Sequence, residues 1–288
     1  MKPQINLLLL TIIALSLCSC NLTSETKEEF NQRPTLRLGY QYINGNDQNT
    51  TLEEVRKINV TIYNAEGQVV KTDELLKSQI EHYQPLYGVP EGEYTVVSRG
   101  NADSTTITDT KAYLPSDKTH ATSDALFYHR ASYIVKRGHP ELNTVSLDKL
   151  YFEMTLRIVG LRGLDDKSLT DFTVELSGTP CGFTNESTPL EPMIIRPRLR
   201  QVADTTLASF NTHRFDDAAT VTLILKHKAD TLAQFPLSEY IADTKSGIDI
   251  QNDRDVLIPI KLNVTTSGTT IIINDWAPPI DQHEDVGV

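Results

Sequence analysis

From Thr35 onward the chain runs in short segments of alternating apolar and polar residues, separated by stretches rich in Gly, Asn, Asp, Ser and Pro. A two-residue period of this kind predicts strands with one buried face. In KINVTIYN it puts Ile58, Val60 and Ile62 on one side, and NAEG at 64–67 offers a turn before QVVKT. EYTVVSRG follows the Pro90-Glu91-Gly92 turn, and Ile134 and Val135 lie in another β-prone run. YFEMTLRIVGL at 151–161 places Phe152, Met154, Leu156 and Ile158 on a common face. DFTVELSG, PMIIRPRLRQV, ATVTLILKH, DVLIPIKLNVT and TTIIINDW continue the series. In IPIKLNV, Ile258, Ile260, Leu262 and Val264 share a face, while Pro259 brings no N–H and so predicts an edge or a bulge. TTSGTT at 265–270 reads as a hairpin connection to the last strand.

Helical candidates are few and short: TLEEVRK at 51–57, DELLKSQI at 73–80 and LSEYI at 237–241, all suited to connecting strands. Strands spaced this regularly over two domain lengths predict paired β-sandwiches. The pattern restarts just after NTVSLDK (143–149), which divides the chain into residues 34–145 and 146–276. The last residues, 277–288, cannot continue a strand past Pro278-Pro279 and read as a tail.

The N-terminus follows a different pattern. MKPQINLLLLTIIALSLCSC carries one Lys and then an apolar stretch from Ile5 to Leu17. That is shorter than the roughly 20 apolar residues of a membrane-spanning helix, and it fits the core of an export signal. Its end, Leu17-Cys18-Ser19-Cys20, resembles the box that closes bacterial lipoprotein signals. The chemistry of that box needs a thiol: Cys20 would take a diacylglycerol, cleavage would follow Ser19, and residues 1–19 would leave as a lipoprotein signal peptide. Cys18 is not an equal candidate, because the large Leu17 precedes it. Buried acyl chains contribute about 0.8 kcal/mol per methylene, so two or three anchor a protein durably where one does not. Residues 20–33, CNLTSETKEEFNQR, then read as a flexible tether reaching at most about 45 Å.

Composition narrows the partners. The formal charge is −11, one unit more negative once Lys2 leaves with the signal, and the longest basic element is RPRLR at 196–200. Phosphate backbones require Lys/Arg patches, so nucleic acid is not an expected partner. With Cys20 acylated, only Cys181 is left of the three cysteines, so stability must come from a packed core and not from disulfides. Cys181 sits in SGTPCGFTNES with no His or Cys at metal spacing and reads as a structural thiol. The chain has no HExxH, no GxSxG and no glycine-rich phosphate loop, and its seven histidines are scattered. No enzyme activity, cofactor or metal is therefore expected. The carboxylate pairs Asp165/Asp166 and Asp216/Asp217 lie in turn-like polar stretches and read as solvated.

Several stretches, in order, resemble a known family. YGVPEGEYTVVSRGN at 87–101 is similar to a Pro-x-Gly-x-Tyr strand of Bacteroidales fimbrial proteins. SDALFYHRASYIV at 123–135 is similar to their Asp-x-Leu-Phe-Tyr element, with His129 where Gly would stand. LYFEMTLRIVGL resembles the strand opening their second domain, and IPIKLNVTTSGTTIIINDW their closing hairpin. With the lipoprotein box, the match is to the FimB-like anchor and minor-subunit family of Bacteroidales fimbriae.

The resemblance implies an all-β chain of two tandem transthyretin-like β-sandwich domains, acting as a non-enzymatic structural subunit of a cell-surface fimbrium. It implies fimbrial stalk or accessory subunits as partners, outer-membrane lipid held through Cys20, and joining by strand complementation. In that mode an incomplete sheet exposes unpaired N–H and C=O groups, and a partner's strand satisfies them. The candidate joining element is the C-terminal hairpin, with Ile271 and Ile273 on one face and Trp276 beyond; its strands could equally complete the protein's own second sandwich. Tyr94 and Phe127 read as core residues. Arg33 and Arg37 are possible trypsin-like cleavage sites, although a lipid-held N-terminal strand is expected to stay attached. The alternative function is a surface glycan-binding β-sandwich lipoprotein.

Overall fold

The computed structural model describes residues 34–138, 141–161, 169–216, 220–241, 247–265 and 267–273. The described part of the chain is nearly all β, as the alternating pattern predicts. The first lobe comprises β1 (Thr35–Gln41), β2 (Lys57–Tyr63), β3 (Val69–Leu76), β4 (Leu86–Gly88), β5 (Gly92–Gly100), β6 (Thr106–Ile107), β7 (Lys111–Tyr113), β8 (Phe127–Val135), β9 (Leu142–Ser146) and β10 (Asp148–Lys149). The second comprises β11 (Tyr151–Val159), β12 (Phe172–Pro180), β13 (Gly182–Thr184), β14 (Pro192–Ile195), β15 (Arg200–Val202), β16 (Thr205–His213), β17 (Thr222–His227), β18 (Asp230–Pro236), β19 (Leu257–Thr265) and β20 (Gly268–Ile273). Short helices α1 (Thr51–Glu54), α2 (Lys77–His82) and α3 (Ser238–Ile241) connect strands.

In the first lobe a sheet ordered β4-β1-β9 faces a sheet ordered β10-β8-β5-β2-β3. Between them lie Leu36 and Leu38 from β1, Ile58, Val60 and Ile62 from β2, Val96 from β5 and Phe127 from β8, all essentially inaccessible to solvent. Tyr94 belongs to the same core. In the second lobe the sheet β15-β16-β11-β19-β20 faces β14-β12-β17-β18. Phe152, Met154, Leu156 and Ile158 pack there against Ile258, Ile260 and Leu262 on one side and Val174, Leu176 and Leu225 on the other. Gly160 ends β11 at φ +94°, where an added Cβ would lie 2.0 Å from the Val264 carbonyl oxygen, so no side chain fits.

Three local expectations are corrected. DELLKSQI does not form one helix: Asp73–Leu76 stay in β3, paired with β2 from Lys57 to Val60, and α2 begins only at Lys77. Cross-strand pairing and the burial of Leu75 outweigh the local helical preference. PMIIRPRLRQV is not one strand but two, β14 and β15, in opposite sheets, with Pro197 in the crossing between them. Pro259 lies in β19, an interior strand and not an edge. It stands opposite Thr155 of β11, and the β20 register begins one residue later at Ile260↔Ile273, so no described strand on that side asks for its missing N–H.

Candidate assembly site

β1 carries the chain into the first lobe as an interior strand. TLRLGYQ alternates, so Leu36 and Leu38 point into the core while Arg37 and Gly39 face outward. β4 pairs with it antiparallel from Thr35↔Gly88 to Arg37↔Leu86, and β9 pairs parallel from Arg37↔Leu142 to Gln41↔Ser146. Side chains strengthen this seat: Asn143 Nδ2 donates to Arg37 O at 3.2 Å, and Gln41 Nε2 to Ser146 Oγ at 2.9 Å. Leu147 N donates to Gln41 O at 2.8 Å, just past the end of the ladder. Arg37 is flanked by strands on both sides and its guanidinium holds Gln84, so it is not displayed as a free loop for a protease. Arg33 and Cys20 lie outside the described residues.

The two lobes are tied together at three places. The segment between β5 and β8 leaves the first lobe: β7 pairs with β13, from Lys111↔Thr184 to Tyr113↔Gly182, and Leu114 is buried in the second core. In return Asn185 of the second lobe sits on the outer face of the first. Its side chain accepts from Arg99 and donates to the Tyr63 hydroxyl at 3.1 Å and to Asp109 O at 2.6 Å, and its carbonyl accepts from Tyr128. That cover explains why Tyr63, Val97 and Tyr128 are buried on a face that alternation alone would leave wet.

The third tie centres on Lys149, whose ammonium is buried between Glu153 (3.1 Å), Asp255 (3.0 Å) and Glu54 (3.7 Å). Burial would lower the pKa of this group, but Tyr151, Glu153 and Asp255 raise it above the ordinary lysine value, so it is charged. Asp255 also accepts from the Tyr42 hydroxyl at 2.7 Å and from Gly45 N at 2.8 Å. Burial would raise the Asp255 pKa, yet these hydrogen bonds and Lys149 hold it below the usual carboxylate value. A cleft of about 510 Å³ opens beside this junction, lined among others by Asp47, Asp148, Arg214 and Arg254.

Later in the chain, β20 is the outer strand of its sheet, and among the described strands it is hydrogen-bonded to β19 alone. Ile271 stands opposite Leu262 and is buried in the second core, so this candidate residue already serves the protein's own sandwich. Ile273 pairs with Ile260, and Trp276 lies outside the described residues. β20, GTTIII, has no charge and no proline, whereas edge strand β3 carries Lys71, Asp73 and Glu74 and edge strand β18 has Asp230 and Pro236 at its ends. Charges and prolines on an edge block pairing with foreign strands; β20 lacks that protection.

No catalytic arrangement emerges from the side chains described. Among the described residues no group of three His, Cys, Asp or Glu side chains could hold a metal ion, and no helix is long and apolar enough to cross a membrane. Asp165, Asp166 and Asp217 lie outside those residues. Cys181 is fully buried, its thiol pushed up to about 11 by burial and by Glu191, which makes it a poor nucleophile. His129 bridges Ser146 O and the Tyr133 hydroxyl, both at 2.9 Å, and so links β8 to β9.

The family model of the fimbrillin-A associated anchor proteins Mfa1 and Mfa2 matches residues 25–281. The chain belongs to this family. Mfa1/Mfa2-type anchor proteins are structural rather than catalytic, and membership associates the chain with cell-surface fimbriae and their other subunits. The anchor-family fold recurs in solved structures. One is a Bacteroides thetaiotaomicron protein described as polysaccharide-binding: TM-score 0.71, 18% identity, 86% of this chain and 99% of that one. A candidate adhesin from the same organism gives 0.66 at 18% identity over 85% and 97%. The fimbrial anchor protein Mfa2 of Porphyromonas gingivalis gives 0.63 at 16% identity over 84% and 97%. Identities this low establish a shared fold. No curated protein matches the sequence.

Proposed function

We propose that this chain is a lipid-anchored subunit at the base of a fimbrium or in an accessory position, held to the outer membrane through Cys20 and joined to partner subunits by strand complementation. The observation that carries the reading is the family match over residues 25–281. The Leu17-Cys18-Ser19-Cys20 box supports the lipid, and the two units proposed from the sequence, 34–145 and 146–276, supply the sheets. The unprotected edge of β20 supports a joining role for the C-terminal hairpin, with Ile271 anchoring it to the core while the outer edge receives a partner's strand.

Wild type and Cys20→Ala, purified from outer-membrane fractions with mass spectrometry of the N-terminus and of bound proteins, test this reading. Acylated wild type with a second fimbrial subunit bound, and a variant released to the soluble fraction, are expected. Acylation without any partner, together with retention on immobilised glycans, would favour the glycan-binding reading. One structural neighbour's description as polysaccharide-binding motivates that alternative. Tyr83 is the only aromatic ring among the well-exposed large apolar side chains described, which is thin support for a stacking platform.

A further inference from the structure

We propose that β1 and β9 form a mechanical clamp that resists tension along the chain. The tension itself presupposes the anchoring reading above, since a tether at Cys20 and a partner on the second lobe would pull the first lobe from opposite ends. Tension from the N-terminus enters at Thr35, the start of β1; along the chain from the second lobe it meets the two-residue pairing of β10 with β8, Asp148↔Tyr128 and Lys149↔Phe127, and once that parts it reaches Ser146, the end of β9. β1 and β9 are parallel neighbours with five register pairs, from Arg37↔Leu142 to Gln41↔Ser146. Two parallel strands pulled at opposite ends slide along each other, so every hydrogen bond between them is strained together. Pulled at the same end they would peel, and the bonds would break one at a time.

Several contacts reinforce the sliding direction. Asn143 and Gln41 add side-chain hydrogen bonds near the two ends of the ladder, to Arg37 O and Ser146 Oγ, and Leu147 N closes onto Gln41 O. Leu142 lies across Gly39, whose would-be Cβ stands 3.0 Å from Leu142 Cδ1, so the two strands interlock on the outer face. On the inner face Leu36, Leu38 and Val145 are fully buried, and sliding would drag them through the core. β4 holds the other side of β1, so the strand cannot swing outward to peel.

The test is single-molecule pulling on the mature chain in its unacylated form, with the Cys20 thiol as one handle; Cys181 is buried and stays unlabelled. A second handle at Asp148→Cys loads β1 and β9 at opposite ends, whereas Lys136→Cys loads them from the same end. The clamp requires a clearly higher rupture force for the 20/148 pair than for the 20/136 pair. Gln41→Ala should speed forced unfolding about fivefold in the 20/148 geometry, the effect of one hydrogen bond on a barrier, and leave the 20/136 geometry unchanged. Equal forces in the two geometries, or an equal effect of Gln41→Ala on both, would overturn the clamp. Because the acyl group is absent from this experiment, a failure of lipid anchoring would show in mass spectrometry of Cys20 and leave the pulling result untouched.

Discussion

The first and last described strands differ in what flanks them. β1 is flanked on both sides and buries Leu36 and Leu38, whereas β20 has a paired strand, β19, on one side and no described strand hydrogen-bonded to its other edge. The lobes share a deeper similarity, since each opens with a strand paired parallel to a late one: β1 with β9, and β11 with β19 over Glu153↔Leu257 to Val159↔Asn263. What separates them is the way out. The first lobe's chain leaves past the end of β9 through the short strand β10, so a pull between the two ends would load the parallel pair in shear. The second lobe turns back through the 265–268 hairpin, and its last strand can be peeled from β19.

The sharpest way to break the contrast is to empty the seat of each strand. Leu38→Ala, at a fully buried interior position, should cost about 3 kcal/mol of unfolding free energy, within the range for Leu→Ala in tight cores. Ile271→Ala removes a side chain that is 8% exposed beneath an edge strand, where the neighbourhood can relax, and about 2 kcal/mol is expected. Denaturant melts followed by circular dichroism give both values. Equal losses would mean that β20 is held as firmly as β1.

Acid tests the second lobe through His213. Its ring is inaccessible, Nδ1 donates to Pro180 O at 3.0 Å, and Nε2 has no protein partner among the described residues. Burial brings its pKa down to about 4. The unfolded chain binds this proton near pH 6.5 and the folded one only near 4, so stability is complete above about pH 6.5 and falls as pH drops toward 4. The loss is on the order of 3 kcal/mol. His129, also lowered by burial, adds to the same slope from the first lobe. His213→Gln should flatten melting free energy between pH 6.5 and 4, while a slope unchanged by the variant would remove this histidine from the account.

The junction responds next. Lys149→Ala leaves Asp255, Glu153 and Glu54 facing one another without their cation. Breaking a buried pair costs 3–5 kcal/mol, and because these carboxylates are partly exposed the expected loss here is about 2 kcal/mol. If the junction is what couples the lobes, the variant should also split one melting transition into two. Calorimetry reads both effects.

Much of this contrast was legible before the structure, and the illegible parts share a cause. Phe152, Met154, Leu156 and Ile158 alternate within nine residues, so period alone placed them in a core. Lys149 and Asp255 are 106 residues apart, and Asn185 meets Arg99 across 86; no local period records such meetings. Pro259 misled for a related reason. A proline forbids a hydrogen bond only where a neighbour asks for one, and the neighbour's register begins one residue later. Alternation alone would leave the outer face of β5 in water, yet Val97 there is buried with Tyr63 and Tyr128, both of which meet Asn185 of the other lobe. At the candidate joining strand, alternation put Ile271 and Ile273 on one face but could not say whether that face serves a partner or the protein's own sandwich, where Ile271 is buried.

The smallest expected effect on folding is the most informative about the open end. Thr270 lies exposed on β20 opposite Asn263. Thr270→Lys puts one charge on an edge that has none, the device by which β3 is shielded. As a surface change touching no buried group, it should shift unfolding free energy by no more than about 0.5 kcal/mol. If β20 receives a partner's strand, the lysine should sharply reduce the fimbrial subunit recovered with the protein from outer-membrane fractions, with folding and acylation unaltered. The corresponding change on β3, Thr72→Lys, adds a charge to an edge already charged and should leave recovery as it was. Loss of the partner with both variants would point to net charge and not to the edge. Loss with Thr270→Lys alone would tie assembly to the strand whose outer edge no described strand pairs, the counterpart of the one the fold encloses.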